Sequence, residues 1–218
     1  MKIALILFVV FMLLQGATVL IVFPAWQRAA KSFRPMLVFL LGNFILELVQ
    51  AFVPGKPFVI VSTTNIQYLM ALLLIIWQAK QWHVFDKRPW LFWVWLITAL
   101  GCWTAELFIT DPAKVHVTWY YTGCALMITL MAIEMLNRNI TRTRLPFFHN
   151  PIFLFCTGLI FSFTLWGLMD LITISLMNSN QADLVQAYYL YISLGILTQV
   201  LFMRAVWSIP SKDVFYSN

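Results

Sequence analysis

The chain has 218 residues, 62% hydrophobic and 10% charged, with a mean hydropathy of +0.85. A soluble domain carries about 25% charged residues, so composition excludes an ordinary soluble enzyme and points to an integral membrane protein. The net charge of +6 lies beside apolar runs, without basic patches interleaved with aromatics, so it reads as membrane topology and not as nucleic-acid binding.

Seven apolar runs are long enough to cross a ~30 Å hydrocarbon core: 3–23, 36–53, 59–79, 90–110, 116–136, 151–176 and 184–206. The breaks between them carry stop chemistry: Pro24, Pro54-Gly55-Lys56-Pro57, Asp111-Pro112, Pro146 and Asn178-Ser179-Asn180. The first run is preceded by Lys2 and contains Gly16-Ala17, as a secretory signal would. The apolar residues continue to Phe23, which makes it an uncleaved first helix. The expected fold is all-α: a polytopic seven-transmembrane-helix bundle forming one domain over 1–218.

Loop charge sets the orientation. Arg28, Lys31 and Arg34 follow the first run, Lys80, Lys87 and Arg88 the third, and Arg138, Arg142 and Arg144 the fifth, while Arg204 and Lys212 close the seventh. Only Lys2, Lys56 and Lys114 fall on the other side. The positive-inside rule therefore predicts the N-terminus outside and the C-terminus in the cytoplasm of a bacterial inner membrane. Trp77, Trp82, Trp90 and Trp207 are expected at the cytoplasmic interface, and Trp119, Tyr120, Tyr188 and Tyr189 at the outer one. The Asn139-Ile140-Thr141 sequon falls on the cytoplasmic side.

Helical spacing collects the polar residues into stripes. Asn43, Glu47 and Gln50 share a face of the second run, Ala99, Cys102 and Glu106 of the fourth, and Gly167, Asp170 and Thr173 of the sixth. Tyr188, Tyr191, Gly195 and Gln199 line the seventh; Tyr121 with Thr118 and Thr122 marks the fifth, and Gln67 with Thr63 or Thr64 the third. Lipid cannot satisfy such groups, so these faces turn toward neighbouring helices. The Gly101–Ala105 and Gly158–Ser162 spacings read as close-packing sites.

Glu134 stands four residues before Arg138, the favourable order for a helical ion pair, and reads as structural. Glu47, Glu106 and Asp170 fall at similar depth, about 6–11 Å inside the outer boundary, with no Lys or Arg in any run at that level. Such acids are protonated, hydrated in an outward-facing cavity, or occupied by a cation or amine ligand. The candidate ligand-binding set is therefore Glu47, Glu106, Asp170, Asn43, Gln67, Tyr121, Tyr188 and Tyr191.

The seventh run has no Lys for a retinal Schiff base, and phosphate loops, G-x-S-x-G and H-E-x-x-H are absent. Cys102, Cys124 and Cys156 lie in apolar runs without metal spacing and read as buried packing residues; His83, His116 and His149 sit at run ends. The sequence names no catalytic residue, cofactor or metal ligand.

The stretches PAWQRAAKSFRPMLVFLLGNFILELV and NPIFLFCTGLIFSF together resemble a group of small, uncharacterised seven-helix membrane proteins of the Bacteroidota. In that group Asn-Pro with aromatics enters the sixth helix and an acid sits midway along the second. Here Cys156-Thr157-Gly158 stands where Ser or Asn is expected before the glycine. The resemblance implies the seven-helix layout and no catalytic residues.

The leading functional expectation is a receptor-like or sensory membrane module that binds a small molecule or proton in an outward-facing acidic pocket. Its signal would pass to a partner protein through the basic loops. The rivals are an accessory subunit of a membrane complex, a small transporter or channel, and an intramembrane lipid enzyme. No repeat symmetry between halves supports transport.

Overall fold

The computed structural model describes residues 2–52, 57–109, 118–140, 146–176 and 181–211; within them the side chains of 2–5, 57–61, 107, 118–119, 140, 170–176 and 181–188 are not described. Seven α-helices occupy the described residues: α1 (Lys2–Arg28), α2 (Arg34–Phe52), α3 (Pro57–Gln81), α4 (Trp90–Ile109), α5 (Thr118–Ile140), α6 (Pro151–Leu176) and α7 (Gln181–Trp207). Short 3-10 turns, Lys31–Phe33 and Phe147–His149, lead into α2 and α6. Among the described residues four segments are long and apolar enough to cross a membrane: Ile6–Arg28, Lys31–Phe52, Pro151–Met169 and Tyr189–Trp207.

The helix ends follow from local chemistry. Proline opens α3 and α6 and stands second in α2, where its missing N–H and fixed φ carry no penalty. Asn150 caps α6: its Oδ1 accepts the backbone N–H of Ile152 at 3.0 Å and of Phe153 at 3.3 Å. Gln78 of α3 serves the start of α2 from outside. Its Oε1 accepts Met36 N–H at 2.7 Å, and its Nε2 donates to Ser32 O at 2.7 Å. Pro24 does not end α1, which continues one turn to Arg28; a proline so near a helix end disrupts only the final backbone bonds.

Helix α3 is closed beyond its last residue by His83, held at φ 59°. His83 N–H bonds to Lys80 O at 3.1 Å and Val84 N–H to Ala79 O at 3.0 Å, the paired closure of a Schellman cap. The left-handed position is filled by His where Gly is usual, so composition gave no sign of it.

Six helices close a ring in the order α1, α2, α3, α5, α6, α7, with α7 returning to α1; α4 lies outside, across α3 and α5. That position corrects two expectations. Cys102 is exposed, whereas Cys124 and Cys156 are buried, and all three are free thiols. A Cβ added to Gly101 meets nothing within 4 Å, so the Gly101–Ala105 stripe packs against no neighbour among the described residues. At Gly158, by contrast, an added Cβ would stand 2.5 Å from the Phe202 ring, as a close-packing site requires.

The half of the ring beside the basic loops is packed with aromatic rings. Phe155 meets Phe39, Trp82 and Phe202 at centroid distances of 5.9, 6.0 and 5.5 Å, and Phe33 meets Trp82 at 5.6 Å. Trp82, expected at the interface, is 0% exposed. It follows the last residue of α3, where the cap turns it under the bundle. At the same end Arg138 bonds Glu134 and Val84 O, both at 2.5 Å, and Arg204 donates to Phe148 O at 3.3 Å.

Candidate functional site

The opposite half holds Gln15, Asn43, Glu47, Gln50, Gln67 and Gln199. Glu47 lies five residues before the end of α2, about 7–8 Å along the axis, on the face it shares with Asn43 and Gln50. It stands at the junction of two cavities. The smaller, of about 40 Å³, is walled by α1, α2, α6 and α7 and takes Gln15, Thr18, Asn43, Glu47, Ser162, Tyr191 and Gln199; Phe39 and Phe202 of the aromatic half also line it. The wider, of about 450 Å³, extends toward the end where α2 finishes and α3 and α7 begin, between Phe8, Met12, Gln50, Thr64, Gln67, Tyr68 and Met169. Phe11, Glu47, Trp166, Tyr191 and Gly195 line both.

Hydrogen bonds polarise this region toward the acid. Gln50 Nε2 donates to Thr64 Oγ1 and to Gln67 Oε1, each at 3.3 Å, which leaves the Nε2 of Gln67 for the carboxylate side. The side-chain amides of Gln15 and Gln67 both turn to Glu47. Gln67 does so without closing a bond of good geometry, so its buried Nε2 stays unmatched. Three buried oxygens on the small cavity are unmatched too: Gln15 Oε1, Asn43 Oδ1 and Gln199 Oε1. Gln15 and Gln199 are only 4% and 7% exposed. Buried polar atoms without partners are uncommon in folded proteins; four lie around this one acid, and Trp82 Nε1, among the rings of the other half, is unmatched too. Among the described residues no Lys, Arg or His lines either cavity.

The candidate residues separate into three groups. Glu47, Asn43, Gln67 and Tyr191 meet at the cavities. Tyr121 stands behind the wall: its ring stacks on Tyr68 at 4.3 Å, its hydroxyl donates to Asn65 Oδ1, and Tyr68 in turn leans on Trp166 at 5.3 Å. Glu106 lines neither cavity; its carboxylate takes the backbone N–H of Tyr120 in the first turn of α5, where unpaired N–H groups favour an anion. The side chains of Asp170 and Tyr188 lie outside the described residues, although both belong to helices of the ring.

Gln15 and Thr18 were not among the sequence candidates. Their signal was present: they stand three apart, on one face of an otherwise apolar run. Among the described residues no group of three or more His, Cys, Asp or Glu is placed to hold a metal ion.

The fold and cavities define an all-α protein with membrane-capable helices and a polar site at one end of its ring, in which Glu47 is the acid among the described residues. No protein-family model, curated protein or solved structure matches the chain.

Proposed function

We propose that the chain is a seven-span integral membrane protein of a bacterial inner membrane, N-terminus outside and C-terminus cytoplasmic, acting as a receptor-like sensory module. A small ligand enters the wide cavity from the outer side and is read at Glu47, Gln67 and Tyr191. The basic loops carry the change to a partner protein, which requires that ligand binding favour one of two arrangements of the bundle. The same layout is what the resemblance to the Bacteroidota group implies.

The observation that carries this reading is the union of the two cavities at Glu47, above a half filled by Phe39, Phe155 and Phe202. Cavities that run from Gln50 and Gln67 down to the rings of Phe39 and Phe202 suit binding better than passage, which needs access from both sides in turn. The arrangement also suits binding better than lipid hydrolysis, since among the described residues no His or Cys lines the cavities to act with the acid. The accessory-subunit reading draws on one feature, the exposed Gly101 and Ala105 of α4, a small-residue face of the kind that packs helices in membranes.

Native purification followed by mass spectrometry tests the reading. A small molecule should accompany the wild-type chain and be lost from Glu47→Gln. A stoichiometric protein partner with no small molecule on either form would replace the sensory reading with the accessory one.

A further inference from the structure

The small cavity poses a narrower question than the wide one: what fits it and what it lacks. Its volume of about 40 Å³ exceeds the ~10–15 Å³ that a cavity needs to hold one water, so a small ion fits it. Beside Glu47 its lining includes Thr18 and Ser162, and Gln15, Asn43 and Gln199, each of which keeps a buried amide oxygen without a donor. The amide of Gln15 is spent on the carboxylate. Its Oε1 is therefore the end left over, and the surplus of acceptors does not vanish by turning that amide around.

We propose that this cavity binds one dehydrated monovalent metal cation of sodium size, held by Glu47 and the side-chain oxygens of Gln15, Asn43 and Gln199. Carboxylate and carbonyl oxygens are the ligands that hard cations take. A water would satisfy the oxygens but leave an ionised Glu47 unbalanced at a depth where that is costly, and a protonated Glu47 would offer one donor to three acceptors. A divalent ion would replace one uncompensated charge with another of opposite sign. A sodium-sized ion answers both the geometry and the charge.

The proposal rests on reading this region as a binding site, and it gives that site a resident ion beneath the ligand. The wide cavity stays free above it, so the ion orients Glu47, Gln15 and Tyr191 for whatever binds there. An ammonium headgroup reaching down from the wide cavity would use the same oxygens, so the test separates the two sources.

The full-length chain, purified in mild detergent, is melted while tryptophan fluorescence is followed. The chloride salt is sodium, lithium, potassium, ethylammonium or N-methyl-D-glucamine at constant ionic strength. Binding to the folded form raises the melting temperature in a saturable way. We expect a saturable rise of several degrees in sodium over N-methyl-D-glucamine, abolished in Glu47→Gln. In Gln199→Leu, which keeps the acid, the midpoint of the sodium titration should move at least tenfold higher. Glu134→Gln, at the far end, should keep the wild-type titration.

Identical melting in every salt overturns the proposal in favour of water, and a rise in ethylammonium without one in sodium overturns it in favour of an organic ammonium. A sodium rise undiminished in both Glu47→Gln and Gln199→Leu places the ion elsewhere and also overturns it. Failure here together with a co-purifying ligand leaves the sensory reading standing. A sodium effect without any ligand leaves the ion site and removes that reading.

Discussion

The two halves of the ring are built on opposite principles. Around Phe155 aromatic rings meet at edges and tilted faces, and side chains such as Phe33, Met36, Leu72, Ile75 and Met135 are fully buried. Around Glu47, on the same helices, space is left open and polar atoms are left unmatched. Packing of the first kind supplies the dispersion and complementarity that hold helices together where lipid weakens the hydrophobic drive. Polar groups of the second kind cost stability, and a protein keeps such a cost where it serves binding. Close packing and open polar space thus stand at opposite ends of one bundle, with Phe39 and Phe202 as the floor between them.

The sharpest way to break this contrast is to cut into the aromatic half. Phe155→Ala removes a ring that is 0% exposed and touches three others. It should cost about 3–5 kcal/mol, seen as a large fall in melting temperature or loss of monodisperse protein. A change below about 1 kcal/mol would mean that this half is not the stabilising one.

A smaller effect is expected at the wall between the halves. Tyr121→Phe keeps the stack on Tyr68 but strips the donor from Asn65 Oδ1. Leaving that buried acceptor unmatched should cost about 1–3 kcal/mol, and Asn65→Leu in the same background should recover part of it by removing the orphan. Equal melting of Tyr121→Phe and wild type would show that the bond does not brace the wall.

The least effect is expected at the rim. Glu134→Ala breaks the ion pair with Arg138, whose partners are 47% and 30% exposed. The expected loss is at most about 1 kcal/mol, reduced further in high salt. A larger, salt-insensitive loss would show that the bond from Arg138 to Val84 O depends on Glu134.

The parts legible in the sequence are those written by period and by local chemistry. The apolar runs locate the helices, although Pro24, read as a break, lies inside α1, and the Glu134-to-Arg138 spacing yields the ion pair. The Asn43–Glu47–Gln50 face follows from helical spacing alone. What period cannot say is which helix stands where. Glu106 resembles Glu47 in depth and surroundings along the chain. Only the placement of α4 outside the ring sends it to the start of α5 and away from the cavities. Gln15 comes to the site because α1 packs between α2 and α7, a contact between residues far apart in sequence. Trp82 was expected at the membrane surface because tryptophans beside basic loops usually are; the unusual left-handed His83 cap is what turns the chain there.

The central claim is a site open to the outside of the cell at the Glu47 end of the ring. Ala51 lines the wide cavity and is exposed, so an Ala51→Cys variant reports on access once Cys102, Cys124 and Cys156 are replaced by alanine. A membrane-impermeant maleimide added to intact spheroplasts should label this cysteine from outside, with no need to open the membrane. Labelling that appears only after the membrane is broken would contradict both the orientation and the outward-facing site.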